Sequence, residues 1–147
     1  MDQSSKSSHN SQPEATVLCA EILGLSELSS KLASEKFSSL MNECFDFVIK
    51  KIELYGGTVS NLDGENIKAV FGIPEPLSGA PAKAVGAAID LMERFKTFNE
   101  VKELSNPVYL RVGLETGPVI VSKVGKDEHS RYNVFGETVN TAIRIRD

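Results

Sequence analysis

Thr58-Val59-Ser60-Asn61-Leu62-Asp63-Gly64-Glu65-Asn66-Ile67-Lys68-Ala69-Val70-Phe71 decides the fold of this chain. Two runs rich in β-branched and apolar residues, Thr58 to Leu62 and Ile67 to Phe71, flank Asp63-Gly64-Glu65-Asn66. Turn-forming residues between two such runs predict a pair of antiparallel strands joined by a tight turn. Just upstream, Gly56-Gly57 is the punctuation expected after a helix. That helix is read from Phe37, Leu40, Met41, Cys44, Val48 and Ile52, which recur at three- and four-residue steps and form one apolar stripe. Ser34 stands where it can cap the start of this helix. Further upstream, Thr16-Val17-Leu18-Cys19-Ala20 is a short continuous apolar run, which suits a strand buried on both faces. Ile22-Leu23-Gly24-Leu25 follows, and Ser26 is the expected N-cap of a short helix.

Downstream of the hairpin, Pro74, Pro76, Gly79 and Pro81 mark a surface loop, with Pro81 in the first turn of a helix. Val85, Ala88, Met92 and Phe95 are the expected buried stripe of that helix. Val108, Leu110, Val112 and Leu114 alternate with Tyr109, Arg111, Gly113 and Glu115, the period of a half-buried strand. Pro118 to Val124 reads as a further strand, in a hairpin across Thr116-Gly117. Tyr132 to Phe135 reads as a short strand, and Thr138 opens a last helix. This order predicts an α+β fold of ferredoxin-like type, with helices grouped on one face of a mainly antiparallel sheet.

The chain has 147 residues with 41% hydrophobic content, enough for one core. Its 16 basic and 20 acidic side chains give a net charge of −4 and no basic footprint for a nucleic acid. Cys19 and Cys44 have no metal-like spacing and fall on buried-pattern positions, so they read as small core residues in a reduced, cytoplasmic setting. No apolar run approaches a membrane span, and the N-terminus lacks the charged-then-apolar layout of a signal peptide. Residues 1–14, rich in serine, read as a disordered lead, tag or linker, which leaves 15–147 as the domain. His129, within Lys126-Asp127-Glu128-His129-Ser130, reads as an exposed loop residue.

Three places concentrate residues with chemical capacity. Glu21 follows the first apolar run and precedes a Gly-containing turn, so its carboxylate and the N–H groups of Leu23, Gly24 and Leu25 suit a metal-bound polyphosphate. An acid before a helix start is also an ordinary structural feature. Glu65 sits at the hairpin tip, where two acids on adjacent strands can converge on a metal pair. Asn140 and Arg144 are four residues apart and share one helix face, an amide and a guanidinium suited to a ribose and a phosphoryl group.

These residues carry a resemblance to the class III adenylyl/guanylyl cyclases. Thr16 to Leu25 resembles the family's opening strand and phosphate turn, of the form FADIxGF. Gly56-Gly57-Thr58-Val59 through Ala69-Val70-Phe71-Gly72 resembles its hairpin, Arg111-Val112-Gly113-Leu114-Glu115-Thr116-Gly117-Pro118-Val119 its RIGIHTGPV strand, and Val134-Phe135-Gly136-Glu137-Thr138-Val139-Asn140 its VIGDTVN segment. The four matches occur in order from about Ala15 onward. The diguanylate cyclases share a related sheet but carry an acidic signature at the hairpin tip, where this chain has Asp63-Gly64-Glu65-Asn66.

The resemblance implies conversion of a nucleoside triphosphate, ATP first, to a 3′,5′-cyclic monophosphate and pyrophosphate. It implies two Mg²⁺ or Mn²⁺ ions on Glu21, Glu65 and the Ile22 carbonyl, a phosphate turn at Leu23, Gly24 and Leu25, and ribose and transition-state roles for Asn140 and Arg144. The family has Asp where this chain has Glu21 and Glu65, one methylene (about 1.5 Å) shorter. Asn61 and Asn133 stand at the base-selecting positions, where adenylyl cyclases have Lys with Asp or Thr and guanylyl cyclases have Glu and Cys. An amide both donates and accepts, so these two do not dictate a base. The family site forms between two head-to-tail domains, in a homodimer or a heterodimer, and its pattern continues past Asp147 to another strand region and a triphosphate-contacting Lys. Two functions therefore stand side by side: an active cyclase domain in cyclic-nucleotide signalling, and a degenerate one that dimerises or regulates. A plain ferredoxin-like interaction module leaves the ordered matches unexplained.

Overall fold

A computed structural model describes residues 12–125 and 131–147. The elements are β1 (Glu14–Leu23), α1 (Leu25–Lys31), α2 (Ser34–Leu54), β2 (Gly57–Asp63), β3 (Asn66–Phe71), α3 (Ala80–Val101), β4 (Tyr109–Pro118), β5 (Ile120–Val124), β6 (Arg131–Phe135) and α4 (Glu137–Arg146). Strands β2-β3-β1-β4 form one antiparallel sheet, and β5-β6 form a separate antiparallel pair. The expected mixed α+β class with a mainly antiparallel sheet is the observed one. The 126–130 stretch with His129, and residues 1–11 of the expected lead, lie outside the described residues; Glu14, the lead's last residue, already opens β1.

The apolar run at Thr16–Ala20 marks the strand at the centre of the structure. Its side chains alternate between two cores, as a strand's must. Leu18, Ala20 and Ile22 pack with α1, α2 and α3, whereas Ala15, Val17 and Cys19 pack with Val119, Val134 and, from α4, Val139 and Ala142. The single helical face expected from the sequence therefore holds for α1–α3, while α4 covers the opposite face. Gly113 makes that second layer possible: a Cβ there would lie 2.5 Å from the backbone nitrogen of Arg146 and would also overlap the Ala142 carbonyl.

Several local expectations are corrected. β1 runs on to Leu23, so Glu21 lies within a strand and not after it. The β2–β3 turn is the expected tight one, closed at Asp63 and Asn66 with Gly64 at φ 61°. By contrast, β4 continues through Thr116-Gly117 to Pro118, and β5 pairs with β6 instead of folding back on β4. The N-caps are Gly24 and Ala33, not Ser26 and Ser34. Gly24 sits at φ 96°, and an added Cβ would meet the Pro107 carbonyl oxygen at 2.6 Å, so close packing sets that turn. On α2 the buried residues are Leu40, Cys44, Val48 and Ile52, as the stripe predicts. On α3 half of the expected stripe holds: Ala88 and Phe95 are buried, together with Ala84, Ala87, Leu91 and Phe98, while Val85 and Met92 are 45% and 43% exposed, so the helix is rotated from the expected face. Small alanines let the helix approach the sheet, and Phe95 and Phe98 then meet Phe47 at 5.0 and 5.7 Å.

Candidate active site

Glycine at position 24 turns the chain out of β1 directly into α1, and the β2–β3 tip folds against the same strand end. The tip is held there by a backbone hydrogen bond, the Ile22 N–H donating to the Glu65 carbonyl at 2.9 Å. Between them opens a cavity of about 570 Å³, lined by Ile22, Leu23, Gly24, Leu25, Glu65 and Tyr109 among others. The expected phosphate turn, the expected carbonyl ligand and one of the two expected metal carboxylates thus line one space. Glu65 is half-buried there.

Glu21 is placed differently. It is adjacent to Ile22 in a strand, so its side chain projects from the opposite face. In the ladder it stands opposite Arg111 of β4. Arg111 donates to its Oε1 from Nε at 2.9 Å and from Nη2 at 2.7 Å. The pair is shielded more on the acid side, with Glu21 19% and Arg111 41% exposed. The same Nη2 lies 3.5 Å from Asp147 Oδ1, which Arg146 Nε meets at 2.8 Å, and Arg146 Nη1 donates to Asn66 Oδ1 at 3.1 Å. One chain of charges therefore links β1, β4, the end of α4 and β3. The hydrogen bond from Arg146 holds the Asp147 carboxyl below the usual carboxylate range. Sequence reasoning quoted Arg111 only as part of a strand motif. The signal for its role was available in the alternation of β4, once β1 and β4 are paired with Glu21 opposite Arg111.

The remaining expected site residues lie away from that cavity. Asn140 and Arg144 share the exposed face of α4, as their spacing predicts. Arg144 folds back along its own helix, Nη2 donating to Glu137 Oε2 at 3.1 Å and to Thr141 Oγ1 at 3.2 Å. Asn61 is exposed on β2 directly across the ladder from Lys68, and Asn133 on β6 stands opposite Ser122. Strands β2 and β6, which carry these two positions expected to select the base, touch each other.

Two carboxylates and a carbonyl are hard oxygen donors, the type that Mg²⁺ and Mn²⁺ prefer. Both Arg111 bonds end on Oε1 of Glu21, so Oε2 is the oxygen a cation would take. The donor set fits such an ion in chemistry. Among the described residues, no group of three or more His, Cys, Asp and Glu side chains is clustered for a metal, so the carbonyl is needed to complete it.

The family model for the adenylate and guanylate cyclase catalytic domain matches residues 7–147. An adenylate cyclase of Mycobacterium bovis is 30% identical over 132 residues, covering 90% of this chain and 29% of that protein. Adenylate cyclase 1 of Rhizobium meliloti is 27% identical over 134 residues, covering 90% of this chain and 20% of that protein. The chain thus spans less than a third of the length of these curated relatives. Among solved structures, the adenylyl cyclase CyaB from P. aeruginosa superposes with a TM-score of 0.82 at 27% identity, covering 92% of this chain and 71% of that one. The guanylate cyclase domain of RhGC from Catenaria anguillulae, solved with GTP, gives 0.78 at 26% identity, covering 92% and 72%.

Proposed function

Because the chain belongs to the family of adenylate and guanylate cyclase catalytic domains, we propose that it converts a nucleoside triphosphate to a 3′,5′-cyclic monophosphate and pyrophosphate at an interface between two such domains. ATP is the favoured triphosphate, a reading supported by similarity to adenylate cyclases of two bacteria. The observation that carries the proposal is the convergence of Ile22, Leu23, Gly24, Leu25 and Glu65 on one cavity. Asn140 and Arg144 do not line it, so a complete site needs the cavity of one chain and the α4 face of another. Ile120 and Val124 of β5, 49% and 53% exposed, supply apolar surface for that association in a head-to-tail homodimer or heterodimer.

In the reaction the ribose 3′-hydroxyl gives up its proton to solvent water, its oxygen forms a bond to the α-phosphorus, and the α–β phosphoanhydride bond breaks to release pyrophosphate. The N–H groups of the Leu23–Leu25 turn hold the phosphates. Asn140 orients the ribose. Arg144, once it leaves Glu137 and Thr141, places its guanidinium against the charge that grows on the phosphoryl group. Mg²⁺ or Mn²⁺ on Glu21, Glu65 and the Ile22 carbonyl would supply polarisation of the hydroxyl and phosphoryl oxygens. Asn61 and Asn133 face the base.

The test is turnover with ATP, GTP, CTP and UTP, in Mg²⁺ and in Mn²⁺. Product that disappears in Glu21→Ala and in Arg144→Ala supports the proposal. No product under any condition, from a folded dimer, overturns it in favour of a domain that dimerises or regulates without turnover. One observation favours that second reading, namely that Glu21 is already neutralised by Arg111. Among the described residues no helix is long and apolar enough to cross a membrane, which is compatible with a cytoplasmic place in cyclic-nucleotide signalling.

A further inference from the structure

Lys68 interrupts the apolar run of β3, with Ile67, Ala69, Val70 and Phe71 all buried around it. In the ladder it stands between Cys19 of β1 and Asn61 of β2, so all three side chains project from the same face. Its half-buried stem crosses that face and carries the ammonium to β6, where Nζ donates to the Val134 carbonyl at 3.0 Å and lies 5.7 Å from the centre of the Phe135 ring. An ammonium has three donors, and Val134 takes one of them. Phe135 is half-exposed and shares a strand face with Asn133, since both alternate with the buried Val134.

A flat aromatic surface, adaptable amides and a donor-only cation are the combination that recognises a nucleobase: the ring stacks, the amides match either kind of edge, and the ammonium takes a ring acceptor. A tether between the sheet and the β5–β6 pair accounts for one bond of Lys68, but not for the grouping of Asn61, Asn133 and an exposed ring around it. We propose that Lys68, with Asn61, Asn133 and Phe135, forms the base pocket, and that its ammonium supplies the donor that makes a nucleotide bind better than its phosphates alone. The proposal rests on the cyclase reading above and adds Lys68 to it as a specificity-determining residue.

The experiment compares ATP with inorganic tripolyphosphate, both titrated calorimetrically in Mg²⁺ into the full chain and into Lys68→Met, Lys68→Arg and Phe135→Ala. The expected result is that Lys68→Met weakens ATP about tenfold and leaves tripolyphosphate unchanged, while Lys68→Arg keeps ATP within a few-fold. Phe135→Ala, which leaves the Val134 bond in place, also weakens ATP selectively, by about tenfold. It provides the test if Lys68→Met does not fold. Unchanged ATP affinity in Lys68→Met or in Phe135→Ala overturns the base pocket and leaves the cyclase reading intact. A parallel loss of ATP and tripolyphosphate overturns it too, because it shows a tether or general charge. Failure of the unaltered chain to bind either ligand overturns the nucleotide site itself, and the pocket with it.

Discussion

Replacing Gly113 with alanine tests whether α4 is held where the proposed chemistry needs it. The added Cβ would overlap two backbone groups of α4, the Arg146 nitrogen at 2.5 Å and the Ala142 carbonyl. No side-chain rotation relieves an overlap with backbone, so either the strand and helix separate or the helix undocks. Overpacking relieved by side chains costs about 1–3 kcal/mol, and this case belongs at the upper end. Undocking sets a ceiling. It forfeits the burial of Val139 and Ala142 and the bond from Thr138 Oγ1 to the Pro118 carbonyl at 2.7 Å. At about 1.5–3 kcal/mol for a valine, under 1 for a methyl and about 1 for the hydrogen bond, that ceiling is roughly 3–5 kcal/mol. Gly113→Ala should therefore cost about 3 kcal/mol and lower the melting temperature by roughly 10 °C. Gly117→Ala is the internal comparison. Its Cβ meets Thr138 Oγ1 at 2.7 Å, the movable end of a side chain, so it should cost only about 1 kcal/mol. Thermal and urea unfolding followed by circular dichroism measure both. A Gly113→Ala variant that melts with the unaltered protein, or above Gly117→Ala, refutes the packing argument for α4.

The Glu21–Arg111 pair predicts a double-mutant-cycle coupling of about 1–2 kcal/mol between Glu21→Gln and Arg111→Met in urea denaturation, reduced from a fully buried value by Arg111's exposure. Glu21→Asp shortens the side chain by about 1.5 Å and weakens its contact with Arg111, so stability should fall by about 1 kcal/mol while Mn²⁺, followed by electron paramagnetic resonance, binds more tightly. Looser Mn²⁺ binding in that variant counts against Arg111 as the competitor. Leu91→Ala should cost about 2–5 kcal/mol and Met92→Lys less than about 0.5, the reverse of what a buried Met92 requires. Burial pushes the Cys44 thiol up from 9.0 to about 12. The unfolded chain then releases this proton first, so stability should decline by about 1.4 kcal/mol per pH unit from near pH 9 upward, and Cys44→Ala should flatten that limb of the pH profile.

Much of the fold could be read from local pattern because the relevant forces are local. Asp63-Gly64-Glu65-Asn66 closes the β2–β3 turn wherever the rest of the chain lies, and β1, apolar on both faces, can only be a central strand. The errors arose where tertiary contact chose among equivalent options. On α3, periodicity allowed either Val85 and Met92 or Ala87 and Leu91 to face inward, and the need for small residues against the sheet selected the second set. Thr116-Gly117 looks like a turn, yet Gly117 is there because Thr138 lies against it. Gly113 places α4 on the second sheet face for the same reason, and no period in the sequence encodes an approach between residues so far apart. Among the candidate site residues, the placement of Glu65 and Leu23–Leu25 on one cavity is legible because the hairpin tip and the Gly24 turn are local. The partners of Glu21 and Lys68 were not, because both are set by strand register.

The two glutamates that depart from the family pattern do different things. Glu65 enters the cavity beside Ile22, where its extra methylene alters only how far its carboxylate reaches. Glu21 uses the same extra length to meet Arg111, and through Asp147 and Arg146 that contact runs on to Asn66, next to Glu65 in the turn. The charge that a metal would neutralise is thereby already balanced by an arginine anchored on β4. A cation must compete with that guanidinium for Glu21, or share the carboxylate with it through the other oxygen. Arg111 is tied to the last residues of α4 by Asp147, and α4 also carries Asn140 and Arg144. Release of Arg111 would therefore loosen the end of the helix whose exposed face meets a second chain in the proposed dimer. In the proposed site, metal binding at Glu21 and presentation of Arg144 would therefore be mechanically connected within one domain, through a salt bridge that a shorter aspartate would weaken.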